Sequence, residues 1–340
     1  MNRELARKVA DSVLYEGYML YPYRPSAIKN RRRWTFGILY PPAYAEVLGG
    51  TERSCMHSEY LLRGNADATI QIELRFLHPH ARQVFRQMND GFKATPSLSV
   101  DGRLVESWDE AKERSAVFDF PNAGTRNFKF HFEGSSEDKP LCDCAGEVGK
   151  ISYAQREVYG LVSAATEEIR DSVWKLSIDV ENQTPLTTNA DNRDAVLSSL
   201  LSTQLILTAT GAQFVSLLDS PEDLKQAASS CQNVGNLPVL LGSTGDHEMV
   251  LCSPILLYDY PQVAPETVGD FYDGTEMDEM LTLRVMTLTD EEKSQMRLAD
   301  EKARHLLERT EATAREQLMR THGTVRDLRP IRDEFSEGTK

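Results

Sequence analysis

Cysteine is scarce in this chain. Five are present in 340 residues, at Cys55, Cys142, Cys144, Cys231 and Cys252. An odd and sparse set argues against a disulfide scaffold. No C-x-x-C pair occurs, which argues against zinc ribbons and thioredoxin-like dithiols. No run approaches the roughly 18 consecutive apolar residues of a membrane helix, so an integral membrane protein is not expected. The N-terminal stretch carries Glu4, Asp11 and Glu16 and lacks the apolar core of a secretory signal. The expectation is a reduced, cytoplasmic protein. Positive charge is also in short supply: 38 Lys and Arg stand against 52 Asp and Glu, a net charge of −14. A strongly acidic surface repels phosphate backbones, which disfavours bulk nucleic-acid binding.

The motifs that carry a mechanism are missing too. There is no G-x-G-x-x-G after a strand, no G-x-x-x-x-G-K-[ST], no G-x-S-x-G and no H-E-x-x-H. Dinucleotide, P-loop, α/β-hydrolase and zincin chemistries therefore have no support. Seven histidines are spread along the chain with none in a recognisable triad context. No catalytic residue is assigned and no cofactor is expected.

What is present is an ordinary globular composition, 40% hydrophobic and 26% charged, with strong period-two patterning. Ile70, Ile72, Leu74 and Phe76 alternate with Gln71, Glu73 and Arg75, as on a half-buried strand. Phe128, Phe130 and Phe132 repeat the pattern, as do Trp174, Leu176, Ile178 and Val180. Residues 205–210 and 214–218 flank Thr210-Gly211-Ala212, which reads as a hairpin turn. Residues 239–241 and 250–257 flank a second turn at 243–247. Helical patterns are expected at 3–14, 79–90, 107–115, 192–201 and 221–230. Short strands separated by turn chemistry predict an α+β fold. Its body is a mostly antiparallel β-sandwich or open barrel with short helical insertions. Thr289 followed three residues later by Glu292 is a capping box. It starts a long C-terminal helix over 289–322, stopped at Gly323.

The expected organisation is a basic-aromatic segment at 1–50, β-rich lobes at 51–140 and 150–260, an acidic linker at 261–288, the helix at 289–322 and a tail at 323–340. The polar stretch 134–149 reads as a surface loop or seam between the lobes.

Two constellations stand out. The first 34 residues hold eight bases and three acids. Arg24, Lys29, Arg31, Arg32, Arg33 and Trp34 lie there among Tyr18, Tyr21 and Tyr23. Tyr and Arg anchor protein interfaces, so these nine are the partner-binding candidates. The alternatives are tyrosines packed on the body, or RNA held by Arg31, Arg32 and Arg33 through stacking and charge. The second is the acidic run from Gly269 to Glu279. Clustered oxygens suit a hard cation, and Asp270, Asp273 and Glu276 are the metal candidates there, against a solvated acidic loop. Cys142-x-Cys144, Cys55-x-His57 and His78-x-His80 are short pairs of softer ligands, of which Cys142 and Cys144 are the metal candidates. Their one-residue gap is poor for zinc chelation.

Two stretches carry a resemblance. One runs from Leu14-Tyr15-Glu16-Gly17-Tyr18 through Tyr21-Pro22-Tyr23-Arg24-Pro25 to Lys29-Asn30-Arg31 and Trp34-Thr35-Phe36-Gly37. The other runs from Ser253-Pro254-Ile255-Leu256-Leu257-Tyr258-Asp259-Tyr260-Pro261 through Ala264-Pro265-Glu266 and Asp273-Gly274-Thr275-Glu276 to Leu281-Thr282-Leu283-Arg284. Both resemble an uncharacterised bacterial family associated with gene clusters of nickel-iron hydrogenases and their maturation factors. The resemblance implies a protein-partner context and no catalytic role. The expectation is a non-catalytic accessory or interaction protein that assists assembly of a metalloenzyme such as a hydrogenase. A metal-dependent hydrolase or a metal-delivery protein is the alternative.

Overall fold

The computed structural model describes residues 3–20, 27–32, 34, 36–187, 189–262, 285, 287–299 and 301–312. Its spine is one strand of 34 residues, β1 (Cys55–Met88). Ile70, Ile72, Leu74 and Phe76 are all fully buried, as their alternation requires. No single partner spans so long a strand, so β1 changes neighbours along its length. Residues 55–63 pair with β10 (Val173–Asn182) and 61–77 with β11 (Leu201–Val215). Residues 69–80 pair with β5 (Glu110–Pro121), 81–86 with β8 (Gly146–Gln155) and 84–88 with β2 (Gly91–Thr95). β9 (Val158–Arg170) joins β10 and carries β6 (Gly124–Phe132) at the edge. On the other side β11 carries β14 (Met249–Ser253) and then β13 (Leu237–Leu240). The two-residue β12 (Asn233–Val234) adds to the start of β1, and β7 (Ser135–Asp143) to β8. The result is one large open sheet of 12 strands, and every described pairing is antiparallel. Only β3 (Ser97–Val100) and β4 (Arg103–Glu106) stand apart, as a two-stranded ribbon.

Several local expectations are corrected. Residues 79–90 and 107–115 are not helical: the first is the end of β1 and the second contains the start of β5. Ala81, Val84, Phe85 and Met88 have helical spacing, but β2 and β8 complete ladders with this stretch, and tertiary pairing overrides a short periodic signal. Thr210-Gly211-Ala212 is no hairpin turn. β11 runs straight through it, and Gly211 takes φ +79° where the register against β1 shifts between Gly64 and Thr69. The stretch 134–149 is a β-hairpin, β7 and β8, rather than a loop. The turn at 243–247 does join a hairpin, with Leu240 opposite Val250.

The helices are short. α1 (Arg3–Leu14) lies on the sheet through Ala6, Val9, Ala10 and Val13, and its carbonyls accept bonds from Gln204 and Ser202 of β11. α2 (Pro42–Val47), α3 (Asn192–Leu197) and α4 (Lys225–Ser230) are brief insertions. The long C-terminal helix is corrected to two, α5 (Asp290–Ala299) and α6 (Glu301–Ala312). The capping box does open α5: Glu292 N–H donates to Thr289 Oγ1 at 3.2 Å, and Thr289 N–H donates to Glu292 Oε2 at 3.0 Å. Arg297 and Lys293 of α5 then pair with Glu311 of α6 at 2.6 and 3.4 Å. In one straight helix Arg297 and Glu311 would sit about 21 Å apart, so the chain must fold back between them. Met296, Ala303, Leu306 and Leu307 are buried in a cluster with Leu14, Met19, Leu77 and Trp108, which docks the helix pair on the body. Among the described residues, no helix is long and apolar enough to cross a membrane.

Candidate functional site

The segment 253–260 leaves β14 at Ser253, and Pro254 has no N–H with which to continue the ladder. The chain remains ordered by other means. Asp259 Oδ1 accepts from Leu240 N–H at 2.7 Å, and Asp259 Oδ2 accepts from the Ser216 hydroxyl. The same Ser216 oxygen accepts the N–H groups of Leu218 and Asp219 at 3.1 and 2.8 Å. Tyr260 N–H donates to Leu240 O at 2.8 Å. One carboxylate thus ties the segment to the end of β13 and to the loop after β11. Tyr260 is held at φ +57°, a left-handed conformation that a bulky residue keeps only when its surroundings impose it.

Along this tethered backbone the side chains alternate in exposure. Ile255 and Leu257 pack against the cluster that α1 makes with β13 and β14. Leu256 and Tyr258 point the other way and are 71% and 84% exposed. Leu218, on the loop that Ser216 organises, is 55% exposed. The outcome is an apolar ridge on a fixed backbone.

The basic-aromatic segment is arranged differently. Tyr18 is 2% exposed, edge-on to Tyr15, and sits in the cluster with Leu14, Met19 and Trp108, so its ring belongs to the core rather than to an interface. The Asn30 side chain both donates to and accepts from the Leu20 backbone at 2.7 Å. Lys29 is exposed in a 3-10 turn, Lys29–Arg32. Trp34, at φ +60°, is partly buried against the same cluster as Tyr18. Tyr21, Tyr23, Arg24 and Arg33, and the side chains of Arg31 and Arg32, lie outside the described residues, as do Asp270, Asp273 and Glu276.

Other chemistry-bearing groups are scattered. Cys142 and Cys144 are exposed where β7 turns into β8. His57 sits opposite Asp179, with its Nδ1 2.7 Å from Asp179 Oδ1 and its Nε2 3.7 Å from Glu59 Oε1. Burial alone would raise the Glu59 pKa. The Gln232 N–H at 2.7 Å and the Lys175 ammonium at 3.3 Å outweigh it and hold the carboxyl below its usual range. Spacing showed only Cys55-x-His57 here; the cross-strand partners come from pairing with β10, which sequence periodicity does not specify. His78 and His80 are buried, and burial pushes each down to about 4. A cleft of about 440 Å³ lies over Gln83, Thr95, Ser107 and Trp108, but the fork of Arg193 at its rim is already engaged by Asp109 at 3.0 and 2.7 Å. Among the described residues, no three His, Cys, Asp or Glu side chains gather in a group able to hold a metal ion. Compared with protein-family models and with curated proteins, the chain matches none.

Proposed function

We propose that this chain is an accessory protein that docks on a partner protein through the ridge at 254–260. The observation that carries the reading is the parity of that segment: Ile255 and Leu257 anchor it, while Leu256 and Tyr258 are held out in solvent. A preordered backbone spares the cost of ordering the loop on binding, and tyrosine is among the residues that dominate interface energetics. The fitting partner is a protein with an apolar groove. The resemblance to a family of hydrogenase gene clusters, carried partly by this same segment, makes a metalloenzyme or one of its maturation factors the preferred partner. Docking through residues 18–34 or through the C-terminal helices has less support, because Tyr18, Met296, Leu306 and Leu307 are all turned into the body. We also read the open sheet as curling toward a barrel, since Phe76 of β1 packs against Phe130 and Phe132 of β6 at 6.2 and 5.5 Å.

The test is purification of the full chain from its native cells, with and without L256A and Y258A together. The expected result is a complex of defined stoichiometry for the wild-type chain that is lost in the double variant, with the melting temperature unchanged. Recovery of the same complex by the double variant overturns the ridge as the docking surface.

A further inference from the structure

We propose that Cys142 and Cys144 form a reversible thiol–disulfide pair at the tip of the β7–β8 hairpin. Both thiols are exposed and free. Asp143 and Gly146 are the last paired residues of the hairpin, so Cys144 and Ala145 make its turn. The register slips between Leu141 and Cys142, and the Asp143 carboxylate accepts Ala145 N–H at 2.7 Å, which fixes the turn. Two residues of extended chain span at most about 7 Å, and a turn shortens that. Disulfide Cα separations run about 4.4–6.8 Å. The two cysteines therefore stand within bonding reach of each other through local geometry alone. No other pair in the sequence is so placed.

The remaining thiols are less available or stand alone. Cys252 is fully buried, and burial pushes its thiol up to about 11. Cys231 is raised to about 11 by burial and by Glu59. Cys55 is raised by burial, with Glu181 and Asp179 adding to it. Cys55 is exposed but has no second cysteine within two positions, so local geometry closes an intramolecular bond only at the hairpin tip.

The co-reactant class is a low-molecular-weight disulfide such as glutathione disulfide. One cysteine thiolate attacks a sulfur of that disulfide, forming a mixed disulfide and releasing one glutathione thiolate. The second cysteine thiolate attacks the protein sulfur of the mixed disulfide, closing the bond between Cys142 and Cys144 and releasing the second glutathione. Two electrons pass from the cysteine pair to the glutathione disulfide, and the two cysteine protons end on the two glutathiones. A ring closed over a single intervening residue is strained, and strained exposed disulfides are the labile ones. The oxidised tip would in turn accept electrons from an exposed protein dithiol, which is the substrate class the pair fits.

The experiment equilibrates the full chain in glutathione buffers of graded redox ratio, quenches with acid, alkylates free thiols and maps the cysteines by mass spectrometry. The expected result is a peptide holding both cysteines that is lighter by two hydrogens, while Cys55, Cys231 and Cys252 remain alkylatable. C142S and C144S, exposed and outside the core, should each retain a glutathione adduct on the remaining cysteine. Separate glutathione adducts on Cys142 and Cys144 in the wild-type chain, or disulfide-linked dimers through either, overturn the proposal.

Discussion

Arg75 is the residue that alternation alone misplaces. It sits in phase with Gln71 and Glu73, on the polar side of the β1 pattern, yet it is fully buried. The reason is α1, which covers that face of the sheet and brings Asp11 onto the guanidinium, while Glu113 of β5 accepts at 2.7 Å. A buried cation is tolerated only when paired. R75A, which leaves Asp11 without this counter-ion and Glu113 with only Arg7 at 3.7 Å, is expected to cost about 3 kcal/mol in chemical denaturation, and R75M less, because it refills the volume. The buried histidines make a second residue-scale prediction. His78 and His80 ordinarily titrate near 6.5, and in the fold burial moves both to about 4. The unfolded chain therefore binds these protons first. Their contribution to stability is complete above pH 6.5 and is lost as pH falls from 6.5 toward 4. Urea midpoints measured across that window should decline, and H80Q should remove on the order of half of the slope attributable to the pair.

Elements were legible in the sequence where one physical signal stood alone. The strand alternations at 70–76, 128–132 and 174–180 all fall in strands, because each presents one apolar face to a common core. The capping box at Thr289 and Glu292 opens a helix where its chemistry requires. T289A is expected to lower stability by about 1 kcal/mol, read as a shift in the urea midpoint. Signals failed where two competed. Residues 81–88 carry helical spacing but lie between two waiting strands, and pairing wins. The pattern from 290 onward is continuous, yet Glu311 reaches back to Arg297 and Lys293, and a pattern of period 3.6 does not reveal where a helix folds onto itself.

At the scale of the whole molecule, β1 is what makes the candidate surface possible. Strands from both halves of the chain pair along it, so α1, β13, β14 and the loop after β11 converge on one side, where the segment 253–260 is tied down. That convergence was not legible in the sequence. The segment stood out by resemblance, but the parity that turns Leu256 and Tyr258 outward depends on Asp259 reaching Leu240 and Ser216, contacts that span 19 and 43 positions. The basic-aromatic segment, conspicuous in composition, turns its Tyr18 and part of its Trp34 inward instead. The most direct test of docking is hydrogen exchange on the free chain and on its natively purified complex. Amides at 255–260 and at 216–219 should exchange more slowly in the complex, with the largest change at Leu256 and Tyr258. Unchanged exchange there, with new protection confined to another face, would contradict the ridge as the surface on which the partner sits.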